Sequence, residues 1–457
     1  MRGPATEERA PELPAPVIGL LADLRLAGHA AYVVGGCLRD RLLGRTPSDW
    51  DLTTDARPER IQAVFPGSLY ENRFGTVLVR RDGLACEVTT FRREFAYADH
   101  RHPDRVEFGD SIDEDLARRD FTVNAMAYGG PPPMGPADGL RLVDPHGGRD
   151  DLAARLLRAV GDPDARFHED ALRMIRAVRL AATLEFEIEP ATLAAVARNA
   201  SLADVLSGER MGAELEKLLG APRPSVGLRL MAETGLLAVV APELARQRGV
   251  PQGKVGIDDL WEHTLLTVDA APRERQLVRL AALVHDIGKP ATFTDGHFHG
   301  HDTVGADLAV TLLAELRFPR AVQERVAHLV RHHMFAYEPR WSDATVRRFI
   351  RRIGPAAVDD LIALRAADNA GSGLPAAAGH LAELRARCRA QLEAKVALGR
   401  GDLAVDGHDL MAELDVPPGP RLGWLLDELT ERVVAEPERN DRASLLATAR
   451  DLLRSDA

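Results

Sequence analysis

Two patterns of hydrophobic and polar residues divide the sequence near residue 150. Before it, the short apolar run at residues 31–34 and the segment at residues 49–54 predict β-strands, and the first of them ends in Gly35-Gly36 before a stretch of helical character. Two further apolar runs flank Asp82-Gly83, which predicts a β-hairpin. After residue 150, apolar residues recur with helical spacing between Pro and Gly breaks. The pattern therefore predicts an α+β protein with a small α/β head followed by an elongated all-α body.

Glycine- and proline-containing segments at residues 249–253 and 371–375 predict boundaries within the helical part. The polar, Pro-rich start of the chain predicts a disordered tail over residues 1–15. We therefore expect a head, a neck, a helical body and a helical tail, which occupy residues 16–150, 151–250, 251–375 and 376–457.

Composition limits the class of protein to which these 457 residues belong. A net charge of −11 excludes a uniformly basic protein that coats nucleic acid, so any RNA contact needs a local basic face. Three cysteines without short spacing argue against a disulfide framework or a thiolate zinc site. The sequence shows no signal-peptide core and no apolar run of transmembrane length. We expect a cytoplasmic protein that makes no membrane contact.

Asp49 and Asp51 form the first candidate site. Alternate side chains of a strand share one face, so the two carboxylates are expected to converge and can hold Mg²⁺ ions that also bind a triphosphate. Glu87, expected to be a buried acid of the hairpin strand, is the candidate for a third carboxylate. The Gly35-Gly36 turn before a helix can accept phosphate, with Arg39 adding charge. Each motif alone is more typical of a turn or a solvated face, but their order and close spacing are specific.

These motifs and those that follow them resemble class II tRNA nucleotidyltransferases, the CCA-adding enzymes of bacteria and eukaryotes and their poly(A) polymerase relatives. The motifs occur in the family's order: Val34-Gly35-Gly36-Cys37-Leu38-Arg39-Asp40, Leu42-Leu43-Gly44, Asp49-Trp50-Asp51-Leu52-Thr53-Thr54, Arg118-Arg119-Asp120-Phe121-Thr122-Val123-Asn124-Ala125, Leu142-Val143-Asp144-Pro145 with Gly147-Gly148 and Asp151-Leu152, and Glu169-Asp170-Ala171-Leu172-Arg173. Trp50, Leu180 and Glu185 depart from the usual family residues, and we interpret them as packing changes. The resemblance implies a polymerase-β-like nucleotidyltransferase head and a neck with nucleotide- and RNA-binding motifs.

The resemblance also implies an activity, which is template-independent addition of CCA to the 3′ end of tRNA from CTP and ATP with release of pyrophosphate. It supports Asp49, Asp51 and Glu87 as catalytic residues, with Mg²⁺ at the two aspartates. The expected nucleotide-binding residues are Gly35, Gly36, Arg39, Arg119, Asp120, Asn124, Asp170, Arg173, Arg176 and Arg179. The last stretch of the chain resembles the family's helical tail, to which we assign tRNA positioning.

Residues 164–186 have a helical pattern with an apolar stripe and an adjoining face that carries Glu169, Asp170, Arg173 and Arg176. The spacing alone predicts that this face is an exposed helix surface with acid–Arg pairs. Under the resemblance, Asp170 and Arg173 read the base edge, because the carboxylate accepts from the exocyclic amine of C or A while the guanidinium donates.

The charged segment at residues 92–110 resembles the mobile loop with which full CCA-adding enzymes switch from CTP to ATP. By composition alone it is a solvated loop. If it is that mobile loop, CCA addition or A addition is favoured, and an A-adding enzyme or a poly(A) polymerase of the same family stays open as an alternative.

His285-Asp286 at the end of an apolar run, with distant histidines and Asp368, resembles the HD phosphohydrolase superfamily. The resemblance implies His263, His285, Asp286 and Asp368 as metal ligands and His301 and His333 as a second set. Imidazole and carboxylate ligands suit Mn²⁺, Ni²⁺, Fe²⁺ or Mg²⁺. The resemblance to CCA-adding enzymes with such a domain implies hydrolysis of phosphomonoesters or 2′,3′-cyclic phosphates by a metal-bound water.

Two alternatives come from other classes: an HD metal phosphohydrolase whose head only binds nucleotides, and a non-catalytic RNA-binding protein. The paired acids argue against the second alternative. The four arginines Arg347, Arg348, Arg351 and Arg352 predict one basic helical face, either solvated or in contact with RNA backbone.

Overall fold

The computed structural model describes residues 11–70, 75–95, 105–132, 139–252, 256–257 and 259–455. The chain divides into two compact units, Met1–Pro242 and Glu243–Ala457. Most of the tail expected at residues 1–15 lies outside the described residues, and the first helix begins at Ala15. No helix in these described ranges is both long and apolar enough to cross a membrane.

The described residues of the first unit contain a mixed seven-stranded sheet in the order β3-β4-β5-β2-β1-β8-β9. Only β2 and β5 run parallel among its neighbouring pairs. Two smaller sheets pair β6 with β7 and β10 with β11. The strands are β1 (Ala31–Val34), β2 (Asp51–Thr54), β3 (Leu69–Tyr70), β4 (Thr76–Arg81), β5 (Leu84–Thr90), β6 (Arg92–Phe95), β7 (Arg105–Phe108), β8 (Ala127–Gly130), β9 (Arg141–Val143), β10 (Leu156–Leu157) and β11 (Glu187–Ile188).

The strands at residues 31–34 and on either side of Asp82-Gly83 are confirmed. The strand expected at residues 49–54 begins only at Asp51, and Asp49 lies in the bend before it. The strand β1 ends at Val34 and α2 begins at Gly35, so β1 offers no further residues to pair with the chain before Asp51. The parallel pair β10 and β11 was not expected, since strands of two residues carry no periodic signal.

Eleven helices of the first unit surround or follow the sheet in the described ranges. They are α1 (Ala15–Leu26), α2 (Gly35–Leu42), α3 (Pro58–Val64), α4 (Ile112–Ala117), α5 (Gly148–Ala154), α6 (Pro163–Glu169), α7 (Leu172–Leu184), α8 (Pro190–Asn199), α9 (Gly208–Leu219), α10 (Pro224–Glu233) and α11 (Leu236–Val240). The apolar stripe of α7 is buried as expected, at Leu172, Ile175, Val178 and Ala182, and α7 packs against α9 and α10. The single helix expected at residues 164–186 is wrong, because the chain is extended at Asp170 between α6 and α7.

The helices from Pro242 onward form the body and the tail. They are α12 (Pro242–Ala245), α13 (Leu260–Ala270), α14 (Gln276–Val284), α15 (Lys289–Thr292), α16 (His301–Glu315), α17 (Arg320–His332), α18 (Asp343–Ile353), α19 (Val358–Gly371), α20 (Leu381–Glu393), α21 (Gly407–Leu414), α22 (Pro420–Ala435) and α23 (Arg442–Ser455). α14 packs against α13, α17 and α19, and α16 packs against α17. The last three helices enclose a small apolar core of their own, which includes Leu410, Leu425 and Leu445.

The basic face expected on α18 is wrong at Arg347. This side chain is buried and donates to the carbonyls of Val434 at 2.6 Å and Ala435 at 2.9 Å. It thereby satisfies carbonyl groups at the C-terminal end of α22, where a cation is favourable. Arg348 and Arg351 both pair with Glu431. Arg347 therefore attaches α18 to the C-terminal end of α22 and does not lie on a solvated or RNA-binding face.

Candidate functional site

Three carboxylates meet where β2 and β5 run side by side. The parallel register pairs Asp51 with Glu87, so their side chains leave the sheet on the same face. Burial and then the negative charge of Asp49 raise the pKa of Asp51 to about 6, with a smaller contribution from Glu87 and opposition from Arg119. Asp49 and Glu87 are exposed, so the expectation of burial for Glu87 is wrong. The arrangement concentrates negative charge at one edge, which a divalent cation would relieve.

The glycine turn lies directly beside this carboxylate group. Gly35, the first residue of α2, has a φ of +74°, and a Cβ there would come within 2.9 Å of Arg119 Nη1 and 3.6 Å of Asp51 Oδ2. Any side chain at Gly35 would therefore fill the space between the guanidinium and the carboxylate. The N-terminus of α2, Asp51 and Arg119 border one small space, which suits an anion and a cation together.

A chain of buried polar groups connects the head with α7. Arg39 Nη1 donates to Asn124 Oδ1 at 2.7 Å, and Asn124 Nδ2 donates to Asp120 Oδ1 at 3.0 Å. Arg176 donates to Asp120 Oδ2 from Nη2 at 2.7 Å. Burial alone would raise the pKa of Asp120, but Arg176 and the Asn124 amide outweigh burial and hold that pKa well below its usual range. These four expected nucleotide-binding residues therefore hold one another in place.

The break between α6 and α7 presents Asp170 as a side chain held from two sides. Its Oδ1 accepts from the backbone N–H of Leu172 at 3.0 Å, and its Oδ2 accepts from Arg210 Nη2 at 2.8 Å. Arg173 donates to Glu169 Oε2 at 2.6 Å and to the carbonyl of Arg118 at 2.9 Å. The acid–Arg pair predicted by helical spacing is thus Glu169 with Arg173, while Asp170 finds its cation on α9.

Two ion pairs of this region have no signal in the local sequence pattern, whereas a third acid, Asp115, pairs with arginines at the local i,i+3 and i,i+4 spacings. Arg210 lies on α9, forty positions after its partner Asp170. Arg179 Nε donates to Glu214 Oε2 at 2.7 Å, and Glu214 is buried. Asp115 is buried and pairs with Arg118 at 2.7 Å and Arg119 at 3.3 Å. The ion pair of Arg179 with Glu214 joins α7 to α9. Arg179, which was expected to bind nucleotide, therefore makes a structural contact.

The charged segment at residues 92–110 begins and ends in the paired strands β6 and β7. Residues 96–104 lie outside the described residues. The interpretation of this segment as a loop for the change from CTP to ATP therefore stays a prediction.

The second unit assembles the histidines and aspartates that the sequence singled out. Asp286 lies at their centre, with its Oδ2 3.1 Å from His285 Nε2 and 3.4 Å from His263 Nε2. Its Oδ1 lies 3.5 Å from His301 Nε2 and 3.6 Å from His333 Nε2. Asp368 Oδ1 lies 3.2 Å from His263 Nε2 and 3.8 Å from His285 Nε2. All six expected ligands are therefore in one cluster, which we call the HD centre.

Each imidazole of the HD centre is oriented by a backbone carbonyl. Nδ1 of His263 donates to the carbonyl of Gly371 at 3.0 Å, and Nδ1 of His285 donates to that of Ala282 at 2.8 Å. Nδ1 of His301 donates to the carbonyl of Phe298 at 2.8 Å, and Nδ1 of His333 donates to that of Val330 at 2.6 Å. At Gly371 a Cβ would come within 2.1 Å of Thr267 Oγ1, so glycine lets α19 approach α13 closely enough for the first of these bonds. With Nδ1 bound to a carbonyl, each Nε2 faces the Asp286 carboxylate and has the position of a metal ligand.

Unsatisfied atoms show that the HD centre fits divalent metal. Asp286 Oδ1 and His301 Nε2 are buried and have no hydrogen-bond partner within the described ranges. Ligand atoms fall into two groups that share Asp286, one with His263 and His285 and one with His301 and His333. Burial lowers the pKa of His285, which favours the neutral imidazole that a metal requires. The side chains of both groups would hold divalent cations, which would satisfy the unpaired atoms.

Comparisons with known proteins identify three family regions along the chain. Family models described as the Poly A polymerase head domain, the probable RNA and SrmB-binding site of polymerase A, and the HD domain match residues 31–158, 185–248 and 241–370. The CCA-adding enzyme of Geobacillus stearothermophilus is 34% identical over 437 residues, which are 94% of this chain and 95% of the relative. That of Limosilactobacillus fermentum is 34% identical over 442 residues, 96% and 97% of the two chains.

Solved structures give the same result. The crystal structure of the Bacillus stearothermophilus CCA-adding enzyme in complex with CTP has a TM-score of 0.72 and 30% identity, and covers 97% of this chain and 99% of that one. The Thermotoga maritima CCA-adding enzyme complexed with tRNA has a TM-score of 0.59 at 19% identity, with 96% and 94% covered, and supports the fold alone. The expected α+β fold is confirmed by these matches.

Proposed function

The chain belongs to the family of CCA-adding enzymes, and from this premise we propose that it adds C, C and A to the 3′ end of tRNA from CTP and ATP. The enzyme class is tRNA nucleotidyltransferase. The observation that carries the mechanism is the β2–β5 register, which pairs Asp51 with Glu87 beside Asp49. In each step the terminal ribose hydroxyl of tRNA gives its proton to solvent as its oxygen bonds to the α-phosphorus, the bond from the α-phosphorus to the bridging oxygen breaks, and pyrophosphate leaves with that oxygen.

Both of the families represented in this chain use divalent metals, and we propose Mg²⁺ at Asp49 and Asp51. Bound there, Mg²⁺ supplies the Lewis acidity that activates the attacking hydroxyl and stabilises the departing pyrophosphate. Glu87, adjacent to Asp51 in the strand register, completes the carboxylate set. Arg119 and the N-terminus of α2 border the same space and are proposed to hold the triphosphate oxygens.

Base choice is proposed to rest on Asp170 and Arg173. Each oxygen of Asp170 accepts one protein hydrogen bond and keeps a further lone pair for the exocyclic amine of cytosine or adenine. Uracil and guanine offer a carbonyl there, which the carboxylate repels. Arg173 is buried and held by Glu169 and the carbonyl of Arg118, so its guanidinium is positioned before a nucleotide arrives.

The decisive experiment supplies tRNA that lacks its terminal CCA with CTP, ATP or both, and reads product length. CCA addition predicts two added residues with CTP and three with both nucleotides. An A-adding enzyme would extend only tRNA that already ends in CC. A poly(A) polymerase would add a long run of A, and a head that only binds nucleotides would leave the tRNA unchanged.

We propose that the HD centre hydrolyses phosphomonoesters or 2′,3′-cyclic phosphates. The support is the complete ligand set, with the six side chains and two unsatisfied atoms described above. Mn²⁺, Ni²⁺, Fe²⁺ or Mg²⁺ suits these ligands and supplies activation of water. In the reaction, the water oxygen bonds to phosphorus, a ribose P–O bond breaks, and the ribose oxygen takes up a proton.

The proposal includes the division of labour along the chain. The head at residues 16–150 performs the chemistry, the neck at 151–250 reads the nucleotide and RNA, the HD domain occupies 251–375, and the tail at 376–457 positions tRNA. Its partners are tRNA, CTP and ATP, and we propose a cytoplasmic location because tRNA maturation takes place there.

A further inference from the structure

The loop between α15 and α16 carries two aromatic rings beside the HD centre. Phe293 and Phe298 pack with ring centroids 5.1 Å apart and an interplanar angle of 32°. Between them, Thr294 and His297 exchange backbone hydrogen bonds of 2.9 Å in both directions, which closes a short turn. Phe293 is 44% exposed and Phe298 is half-buried. We call this pair the aromatic platform.

Phe298 connects the aromatic platform to the HD centre. Its carbonyl accepts the hydrogen bond from His301 Nδ1 at 2.8 Å, so the residue that orients a proposed metal ligand also carries a platform ring. Lys289 Nζ lies 5.3 Å from the centroid of the Phe298 ring and 2.7 Å from Asp286 Oδ2. The side chain of Lys289 therefore contacts both the Phe298 ring and the Asp286 carboxylate.

Two cations border the HD centre. Lys289 contacts Asp286, and Arg365 Nη1 donates to Asp368 Oδ2 at 2.9 Å. Lys289 and Arg365 each touch a different carboxylate of the centre and bring two positive charges to it. Such a pair of cations favours a substrate with a phosphate group at the metal position.

We propose that the aromatic platform stacks the nucleobase of a nucleotide whose 2′-phosphate or 2′,3′-cyclic phosphate lies at the HD centre. This inference rests on the proposed hydrolase function and names its substrate class as nucleotides at an RNA 3′ end. The ribose would span the region that Lys289 Nζ occupies, 2.7 Å from Asp286 Oδ2 and 5.3 Å from the centroid of the Phe298 ring. Stacking on aromatic faces accepts any base, because every base has a π-face.

The test compares cyclic phosphates with and without a base, hydrolysed by the full-length protein with Mn²⁺. The substrates are adenosine 2′,3′-cyclic phosphate and glycerol 1,2-cyclic phosphate. Phe293→Leu and Phe298→Leu keep apolar volume and remove the aromatic faces. We expect KM for the adenosine substrate to rise roughly 5- to 150-fold, the range that stacking of one base contributes, while KM for the glycerol substrate stays unchanged.

Tyr70→Leu is the matched control, because it removes a ring that is 47% exposed in the first unit and lies outside both proposed sites. It should alter neither KM. A second readout requires no turnover: calorimetric binding of adenosine 2′-phosphate to chelator-treated protein should weaken in both platform variants and stay normal in the control.

The outcomes separate this inference from the hydrolase proposal. An unchanged KM for the adenosine substrate in both platform variants would overturn the platform, and so would an equal loss with both substrates. If the wild-type protein hydrolyses neither substrate, the hydrolase proposal fails, and the calorimetric comparison still decides whether the platform binds a nucleotide.

Discussion

Arg210 Nη2 donates to Asp170 Oδ2 across 2.8 Å and so connects the break between α6 and α7 with α9. The second oxygen of Asp170 accepts from the backbone N–H of Leu172. Two contacts from different elements therefore fix the plane of this carboxylate, which selective acceptance from a base amine requires. Arg210 Nη1 is buried and has no hydrogen-bond partner in the part of the chain that the structure describes.

Arg210→Ala should weaken base selection, because Asp170 then keeps only one of its two fixed contacts. Discrimination against UTP and GTP should fall by about 1–3 kcal/mol, or roughly 5- to 150-fold. The measurement is kcat/KM for all four nucleotides on one tRNA. Arg210→Lys should restore part of the selectivity, and Arg198→Ala, which removes a largely exposed partner of Asp164, should leave it intact. Full selectivity in Arg210→Ala would show that Asp170 needs no such support.

Arg173→Ala should also let UTP or GTP compete with CTP and lower the overall rate, because a poorly held base misplaces the α-phosphate. Arg176→Ala and Arg179→Ala serve as comparisons, since these arginines pair with Asp120 and Glu214. They should lower rate or stability with less change in base preference. A slow Arg173→Ala enzyme with wild-type selectivity would refute the assignment and leave this helix face as a structural set of acid–Arg pairs.

Asp49→Ala or Asp51→Ala should abolish nucleotide incorporation and leave folding and tRNA binding nearly intact, because each removes a proposed Mg²⁺ ligand. Incorporation by quench-flow and tRNA binding by filter retention measure the two properties. Asp204→Ala, at an exposed acid of the same unit, is the control. Residual incorporation within about tenfold of wild type, which corresponds to about 1.4 kcal/mol of barrier, would contradict the two-metal assignment.

The pair of Asp120 and Arg176 should make the stability of the first unit depend on pH. Because the folded-state pKa of Asp120 lies below the unfolded value of about 3.9, its stabilisation is complete above that value and is lost as the pH falls towards the folded-state pKa. Asp120→Asn should lower the free energy of unfolding by roughly 1.5–3 kcal/mol at pH 7. Chemical denaturation between pH 7 and pH 3 should show the difference shrinking with acid, and a constant difference would argue against this pair as the source.

Asp286→Ala should remove phosphatase and cyclic phosphodiesterase activity while sparing nucleotide addition, because the two sites use different residues in different units. The variant also loses the carboxylate shared by both ligand groups, so metal content by mass spectrometry should drop. His299→Ala, at an exposed histidine outside the ligand set, should retain metal and both activities. Loss of both activities in folded Asp286→Ala protein would contradict the separation of the sites.

Much of the fold could be predicted because its signals are local. The strand at residues 31–34 and the turn at Asp82-Gly83 depend on residues within a few positions of each other, and both are confirmed. The break at Asp170 could not be predicted, because helical periodicity continues through it. The buried Arg347 was also missed, since its partners at Val434 and Ala435 lie more than eighty positions further along the chain.

The sequence by itself determined the family, the order of the motifs and the residue types of each site. These properties depend on which chemical groups occur and in which order along the chain. Tertiary structure alone decided how those groups are oriented. The β2–β5 register brought Glu87 to Asp51, and helix packing placed four histidine Nε2 atoms around Asp286. Packing in three dimensions likewise gave Asp170 its partner Arg210, because the ion pair joins residues on separate elements and leaves no periodic trace along the chain.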